Sequence, residues 1–213
     1  LEVEHAALLP LARLSENVVR RPLLGGNEVR LLDGGDEAYP AMIAAIDGAQ
    51  RSVALWSSIF AGDAAGRRFV AALGRAVARG AEVRVLIDAV GARSSFPRIP
   101  RALERAKVRV ASFLPVLAPT QLSVMNLRNH RKILVVDGEL GFTGGMNIRA
   151  GCVLSEPSSH PVRDTHFAVR GPVIAELMDA FAEDWSFTTG EVLDGPAWVA
   201  APGPSGGVHA KVV

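Results

Sequence analysis

His130 and Lys132, two residues apart, open the apolar run Ile133-Leu134-Val135-Val136, and Asp137 closes it. Side chains two apart on a strand share a face. The pair therefore sets a nucleophile or proton carrier beside a fixed positive charge, which is what attack on a phosphoryl centre requires. Imidazole titrates near neutrality, so one histidine can act as nucleophile while another acts as acid. Lys132 would hold non-bridging phosphate oxygens as a point charge. Asp137 is expected with them as a catalytic residue, although it has the opposite parity and precedes Gly138, so that its first job is a type I′ hairpin turn. Asn147, after Gly144 and Gly145, would donate to the same oxygens, with glycine letting the backbone approach closely. The glycine pair also fits a simple strand-ending turn. Asp164 and His166 share one face of a later strand, where His166 lines a pocket or serves as a structural histidine. Arg131, with Arg128, Arg149 and Arg163, surrounds the motif with cations that suit an anionic substrate or a solvated rim. No carboxylate cluster has metal-ligand spacing, so neither metal nor cofactor is expected.

The elements that must hold these residues follow from periodicity. Strands are expected over Val29–Leu32, Ser52–Phe60, Glu82–Asp88, Val108–Phe113, Arg131–Val136, Leu140–Thr143 and Asp164–Val169. Helices are expected over Glu37–Ala49, Gly66–Ala78, Arg101–Lys107 and Val173–Trp185. Phe69, Val70, Leu73 and Val77 mark the buried face of the second helix, and Gly80 reads as its C-terminal cap. Leu114–Arg128 and Gly151–Val162, each with two prolines, read as loops bordering a site. Such alternation predicts an α/β fold, a mixed β-sheet with helices on both faces. Three parts are expected: a helical segment at 1–27, a catalytic domain at 28–190, and a Pro- and Gly-rich linker at 191–213 that ends as a next strand begins near Val208. Arginines spaced among leucines in the first part fit packing on the domain, or rest on a membrane surface.

At 213 residues the chain can bury a sizeable core, and its 49% apolar and 21% charged content is ordinary for a globular protein. Lys and Arg number 23 against 22 acidic residues. That balance speaks against a nucleic-acid coat, so nucleic acid is not expected as a partner. Cys152 stands alone, excluding an internal disulfide or a thiol metal cluster. No apolar run nears the roughly 20 residues that cross a bilayer. The acidic start, Leu1-Glu2-Val3-Glu4, is unlike a signal peptide. The first residue is not methionine, so a piece of a longer protein is expected.

Asn129 through Asp137 resembles the HxKxxxxD motif of the phospholipase D superfamily. Gly144-Gly145 with Asn147 is similar to that family's second phosphate-binding element. Gly25-Gly26-Asn27, Asp36 to Pro40, Arg163 to His166 and Phe181 to Trp185 resemble bacterial cardiolipin synthases. The likeness runs from about Pro22 to Trp185, and so many ordered neighbours make it far more specific than the motif alone. It implies the phospholipase D-like sheet sandwich and a metal-free reaction. One histidine, here His130, forms a phosphohistidine, and a second protonates the leaving alcohol. It assigns Asp164 to the carboxylate that holds the nucleophile's other ring nitrogen.

The chain departs from the resemblance at Leu55-Trp56-Ser57-Ser58-Ile59-Phe60, where Leu-Glu-Thr-Tyr-Ile-Phe is common. It departs again at Arg149-Ala150-Gly151, where an acidic pair is common. Both bear on the acceptor alcohol more than on phosphoryl chemistry. His209-Ala210-Lys211 imitates a second motif, but the chain stops before an aspartate could follow. One half of a two-motif enzyme is therefore expected, with a homodimer as the alternative. Three functions compete. The first is phosphatidyl transfer between phosphatidylglycerol molecules, on the inner face of a bacterial membrane with peripheral contact. The others are a dimeric phosphodiesterase or nuclease, which predicts salt-sensitive DNA binding, and a non-catalytic binding domain.

Overall fold

Ile133-Leu134-Val135-Val136 is buried along its whole length, as a strand covered on both faces must be. The computed structural model describes residues 10, 14, 18–88, 99–113 and 130–212. Arg128, Asn129 and the expected loop over Leu114–Arg128 lie outside them. In chain order the described elements are β1 (Leu24–Asp33), α1 (Gly34–Gly48), β2 (Ser52–Ser57), α2 (Ala64–Ala78), β3 (Glu82–Asp88), α3 (Ile99–Arg105) and β4 (Arg109–Phe113). Then follow β5 (Ile133–Val136), β6 (Leu140–Gly144), a short 3-10 turn (Ala150–Cys152), β7 (Thr165–Arg170), α4 (Val173–Thr189) and β8 (Val208–Ala210).

Among the described residues the strands form one eight-stranded sheet, in the order β4-β3-β2-β5-β6-β7-β1-β8. β2, β3 and β4 run parallel, and every pairing from β2 through β5 to β8 is antiparallel. The sheet is mixed, as expected. Strand alternation divides the core in two. Val53, Leu55, Leu134 and Val136 join the cluster under α1 and α2, with Leu103 of α3. Ala54, Trp56, Ile133 and Val135 join the cluster under α4. Helices thus cover both faces, and β5 is central because both of its faces find an apolar partner.

The termini of the elements have local causes. Asp63 caps α2 by accepting from the Gly66 N–H at 3.0 Å. α4 runs one turn beyond the expected end at Trp185. The Thr188 and Thr189 hydroxyls bond back to the carbonyls of Asp184 and Trp185, and Gly190 then caps the helix. β1 begins five residues before the expected Val29, at Leu24. Only Asn27 and Leu32 of its ten residues are buried, so no apolar alternation could mark it. Pairing to β7 and β8 on its two sides defines it instead. Buried Asn27 ties this corner together: its amide donates to the Leu24 and Val208 carbonyls and its oxygen accepts from Val173 N–H, the first residue of α4.

Two expected boundaries change. The segment placed at 1–27 gives its last residues, from Leu24, to β1. Of its earlier part, Leu14 and Val18 are helical and exposed, while Arg21 reaches the Glu176 carbonyl of α4. The stretch at 191–213, expected as a linker, packs on this domain as far as it is described. Glu191 receives Arg84, Arg109 and Trp185. Trp198 is buried with Arg84 stacked on its ring, 5.2 Å from the centroid. β8 then adds to the edge of the sheet. Proline and glycine content marked the absence of helix there but not the burial of one tryptophan.

Candidate active site

β5 and β6 are joined by the turn the sequence predicts, with both Asp137 (φ 53) and Gly138 (φ 66) left-handed. The Asp137 carboxylate accepts three backbone N–H groups, from Gln50 at 2.9 Å, Arg51 at 2.7 Å and Ser52 at 2.8 Å. It thereby clamps the α1–β2 connection to the hairpin. This places Asp137 at the end of β5 away from His130 and Lys132, so the structure gives it an architectural position and does not bring it to the site.

At the other end of β5 the expected residues gather. His130 is exposed, and its ring makes no hydrogen bond among the described residues. Lys132 is half-buried and donates to the His130 carbonyl at 2.6 Å. Burial pushes the lysine below its ordinary pKa, while the Asp164 carboxylate pulls it back up. That is the environment of a cation held ready for a diffuse anion. Arg131, of opposite parity, turns to the α4 face and pairs with Asp184 at 2.9 Å. Asp184 also accepts from the Trp56 indole at 3.0 Å. Trp56, where the resemblance expects an acidic residue, thus brings the β2 strand and the motif strand onto one carboxylate of α4.

Gly144 and Gly145 end β6 against the start of β7. Gly144 has φ of 148, and a Cβ there would lie 2.6 Å from the Thr165 carbonyl and 2.8 Å from His166 Nδ1. A Cβ on Gly145 would fall on the Asp164 carboxylate. The pair is therefore a close approach of backbone to Asp164 and His166 rather than only a turn. Asp164 accepts from the Thr165 N–H at 2.7 Å. The expected hydrogen bond from His130 to Asp164 is not formed among the described residues. His166 is 1% exposed, and its Nδ1 is buried without a hydrogen-bond partner among the described residues. Burial holds it down to about 4, helped by Lys132 and opposed by Asp164, so it is neutral at physiological pH.

Asn147 is positioned from two elements. Its side-chain oxygen accepts from Ile59 N–H at 3.1 Å, and its carbonyl accepts from the Tyr39 hydroxyl at 2.5 Å. Among the described residues the amide NH2 is left as the free donor. Tyr39 also receives the Arg149 N–H at 3.0 Å, and burial keeps its phenol protonated. Tyr39 and Ile59 are supporting residues the sequence reading missed. Only the aromatic within Asp36 to Pro40 hinted at one of them.

A cavity of about 570 Å³ adjoins the site, lined by His130, Arg131 and Lys132 among others. A larger one of about 810 Å³ lies between α2 and α3, has mostly apolar walls and contains no motif residue. Among the described residues no three His, Cys, Asp or Glu side chains are placed to hold a metal ion. No described helix is long and apolar enough to cross a membrane. Lys132, Asp164 and His166 lie within electrostatic reach of one another, and a lysine, a neutral histidine and a carboxylate at the end of the strand that His130 precedes are groups suited to binding a phosphodiester.

Residues 42–185 match the family model described as cardiolipin synthase, PLD-like domain. Cardiolipin synthase A of Pseudomonas aeruginosa strain PAO1 is 38% identical over 172 residues, 81% of this chain and 35% of that protein. The chain thus spans about a third of the length of the curated relatives it matches. In solved structures the fold is similar to phosphatidylserine synthase from Haemophilus influenzae Rd KW20 at a TM-score of 0.62 and 17% identity, over 81% of this chain and 40% of that one. It is also similar to Nuc, a phospholipase D family member from Salmonella typhimurium, at 0.56 and 17%, over 75% of this chain and 95% of that one. One such sheet is nearly all of the Salmonella chain and under half of the Haemophilus one. The chain belongs to the cardiolipin synthase family of phospholipase D-like domains.

Proposed function

We propose that this chain is one catalytic half of a cardiolipin synthase, moving phosphatidyl between phosphatidylglycerol molecules. What supports this is Lys132, bonded to the His130 carbonyl and within electrostatic reach of Asp164 and His166, at one end of the sheet and within the stretch matched by the family model. His130 attacks the phosphorus, forming a phosphorus–nitrogen bond as the bond to the headgroup glycerol oxygen breaks. The departing glycerol oxygen takes a proton from the histidine of a second motif. A hydroxyl of another phosphatidylglycerol, deprotonated by that same histidine, then attacks the phosphohistidine. Cardiolipin forms and His130 is regenerated.

Lys132 and the Asn147 amide hold the non-bridging oxygens, where negative charge grows in the transition state. Asp164 balances the imidazolium and Lys132. Neutral His166 lines the seat without competing for the anion. The second motif comes from a second half in a longer chain, and a homodimer mate is the other source. The substrate places the site at the cytoplasmic face of the bacterial membrane, in peripheral contact.

Labelled phosphatidylglycerol, resolved by lipid chromatography, tests this with the chain alone and with a longer chain carrying a second motif. Cardiolipin from the two-motif chain, lost with His130→Ala, is expected. Full activity in the His130→Ala variant would overturn the assignment. His130-dependent cardiolipin from the short chain would identify the dimer as the source of the second histidine.

A further inference from the structure

His130 and Lys132 precede the part of their strand that backbone pairing holds. Among the described residues the β5 ladder to β2 begins at Ile133, opposite Trp56, and the ladder to β6 begins at the same residue, opposite Thr143. The residues just before Ile133 therefore need other contacts to keep a defined geometry, and a nucleophile depends on its geometry steeply.

Arg131 makes two of them. Its guanidinium reaches Asp184 Oδ2 on α4 at 2.9 Å. Its carbonyl accepts the Ser58 hydroxyl at 3.4 Å, one residue past the end of β2. Asp184 is itself fixed from β2, because the same Oδ2 accepts the Trp56 indole N–H at 3.0 Å. Trp56 is fully buried, so its N–H needs an acceptor, and the Asp184 carboxylate supplies one. Phe113 packs on the Trp56 ring with centroids 5.7 Å apart, which leaves the indole little freedom. On the far side of Arg131, the Thr143 hydroxyl donates to the Lys132 carbonyl at 2.9 Å, and the Lys132 ammonium donates to the His130 carbonyl. Arg131 thus links a rigid interior to the two motif residues that flank it.

Charge near the motif suggests another role for Arg131, that of a cation for the substrate anion. Its geometry differs from that role. Arg131 turns to a carboxylate of α4, whereas Lys132 lies within electrostatic reach of Asp164 and His166. We infer that Arg131 is a positioning residue, clamped by Asp184 and Trp56, that sets the approach of His130 to phosphorus. This role deepens the proposed function and rests on it. The acidic side chain that the resemblance expects at position 56 would carry no donor for Asp184 when ionised, so Trp56 makes the clamp possible in this chain.

Steady-state kinetics of a two-motif chain on phosphatidylglycerol test this with Arg131→Met, Arg131→Lys and Asp184→Asn. Arg131→Met leaves the Trp56–Asp184 hydrogen bond in place, so its urea midpoint should change little. Its kcat should fall about tenfold or more while KM stays within about twofold, because the nucleophile is misaimed and the substrate contacts remain. Arg131→Lys should recover part of the loss, since an ammonium can also reach the carboxylate. Asp184→Asn should lower kcat in the same sense and add almost nothing to Arg131→Met, because both act on one contact. Hydrogen exchange over His130 to Val136 should be faster in Arg131→Met than in wild type, a readout that needs no activity. A raised KM at unchanged kcat would make Arg131 a substrate-binding residue and overturn the clamp. So would a lowered urea midpoint with unchanged turnover per folded molecule, the mark of a purely structural pair. Faster exchange in Arg131→Met together with turnover that ignores His130 would overturn the catalytic reading and leave the hold on the motif standing.

Discussion

A Cβ on Gly145 would fall on both carboxylate oxygens of Asp164, so the second glycine of the pair exists for the carboxylate beside it. Gly145 is exposed and the obstructing atoms end a side chain, which limits the folding cost of an alanine to about 1 kcal/mol, the low end for overpacking. The carboxylate must leave the Thr165 N–H to make room. Gly145→Ala should therefore lower turnover about tenfold or more with little change in urea midpoint. Combined with Asp164→Ala it should add almost nothing, because the two substitutions act on one group. Additive losses would show that Gly145 acts elsewhere.

Asp137→Ala should behave in the opposite way. Three backbone donors lose their acceptor, and alanine replaces a residue that tolerates the left-handed region. A loss of about 2–3 kcal/mol in urea unfolding is expected, with turnover per folded molecule retained. Asp137→Asn should lose less stability than Asp137→Ala, since asparagine keeps one acceptor oxygen and the turn preference. Turnover abolished in a well-folded Asp137→Asn variant would return this residue to the chemistry.

How much of this was legible in the sequence depends on how local each signal was. β3 matches its expected limits, because its apolar run is bounded by turn signals. The Asp137–Gly138 turn was readable from two residues. Asp164 and His166 were placed on one strand face by parity alone. What Asp164 touches was not readable, since Gly145 reaches it only through the pairing of β6 with β7. Nor was the hold of Ile59 and Tyr39 on Asn147, which spans 88 and 108 residues. In residues 191–212 the strand near Val208 was readable, but the packing of Glu191 and Trp198 was not, because composition reports on backbone flexibility whereas these two are fixed by Arg84, far away in sequence.

The Arg84–Glu191 pair stabilises this segment. Arg84 is buried and depends chiefly on Glu191, whose carboxyl is in turn held below its ordinary pKa by Arg84. Glu191→Ala would leave the guanidinium buried with the half-exposed Glu82 at 3.3 Å as its one carboxylate partner among the described residues, beside the Trp198 ring. Unfolding free energy should fall by about 3 kcal/mol, as when one partner of a buried pair is removed. An unchanged urea midpoint would mean that the C-terminal stretch is a linker after all.

His166 gives the domain a pH dependence with a definite sign. Its folded pKa, about 4, lies below the ordinary histidine value of 6.5. The unfolded chain therefore binds a proton at this residue before the folded one does. Above pH 6.5 both forms are neutral and nothing is lost; between 6.5 and 4 stability falls as pH falls. The full difference is on the order of 3 kcal/mol. Urea midpoints at pH 7 and pH 5 should differ less in His166→Gln than in wild type. An identical difference in both would show that His166 titrates normally.

In the proposed reaction His130 carries the phosphatidyl group. The most direct measurement is a rapid acid-free quench of a two-motif chain turning over labelled phosphatidylglycerol, followed by peptide mapping. Label that survives alkali, is lost in acid and sits on His130 is expected, because a phosphorus–nitrogen bond has that lability. Label on another residue, or steady turnover of the His130→Ala variant with no label at this peptide, would contradict that reaction.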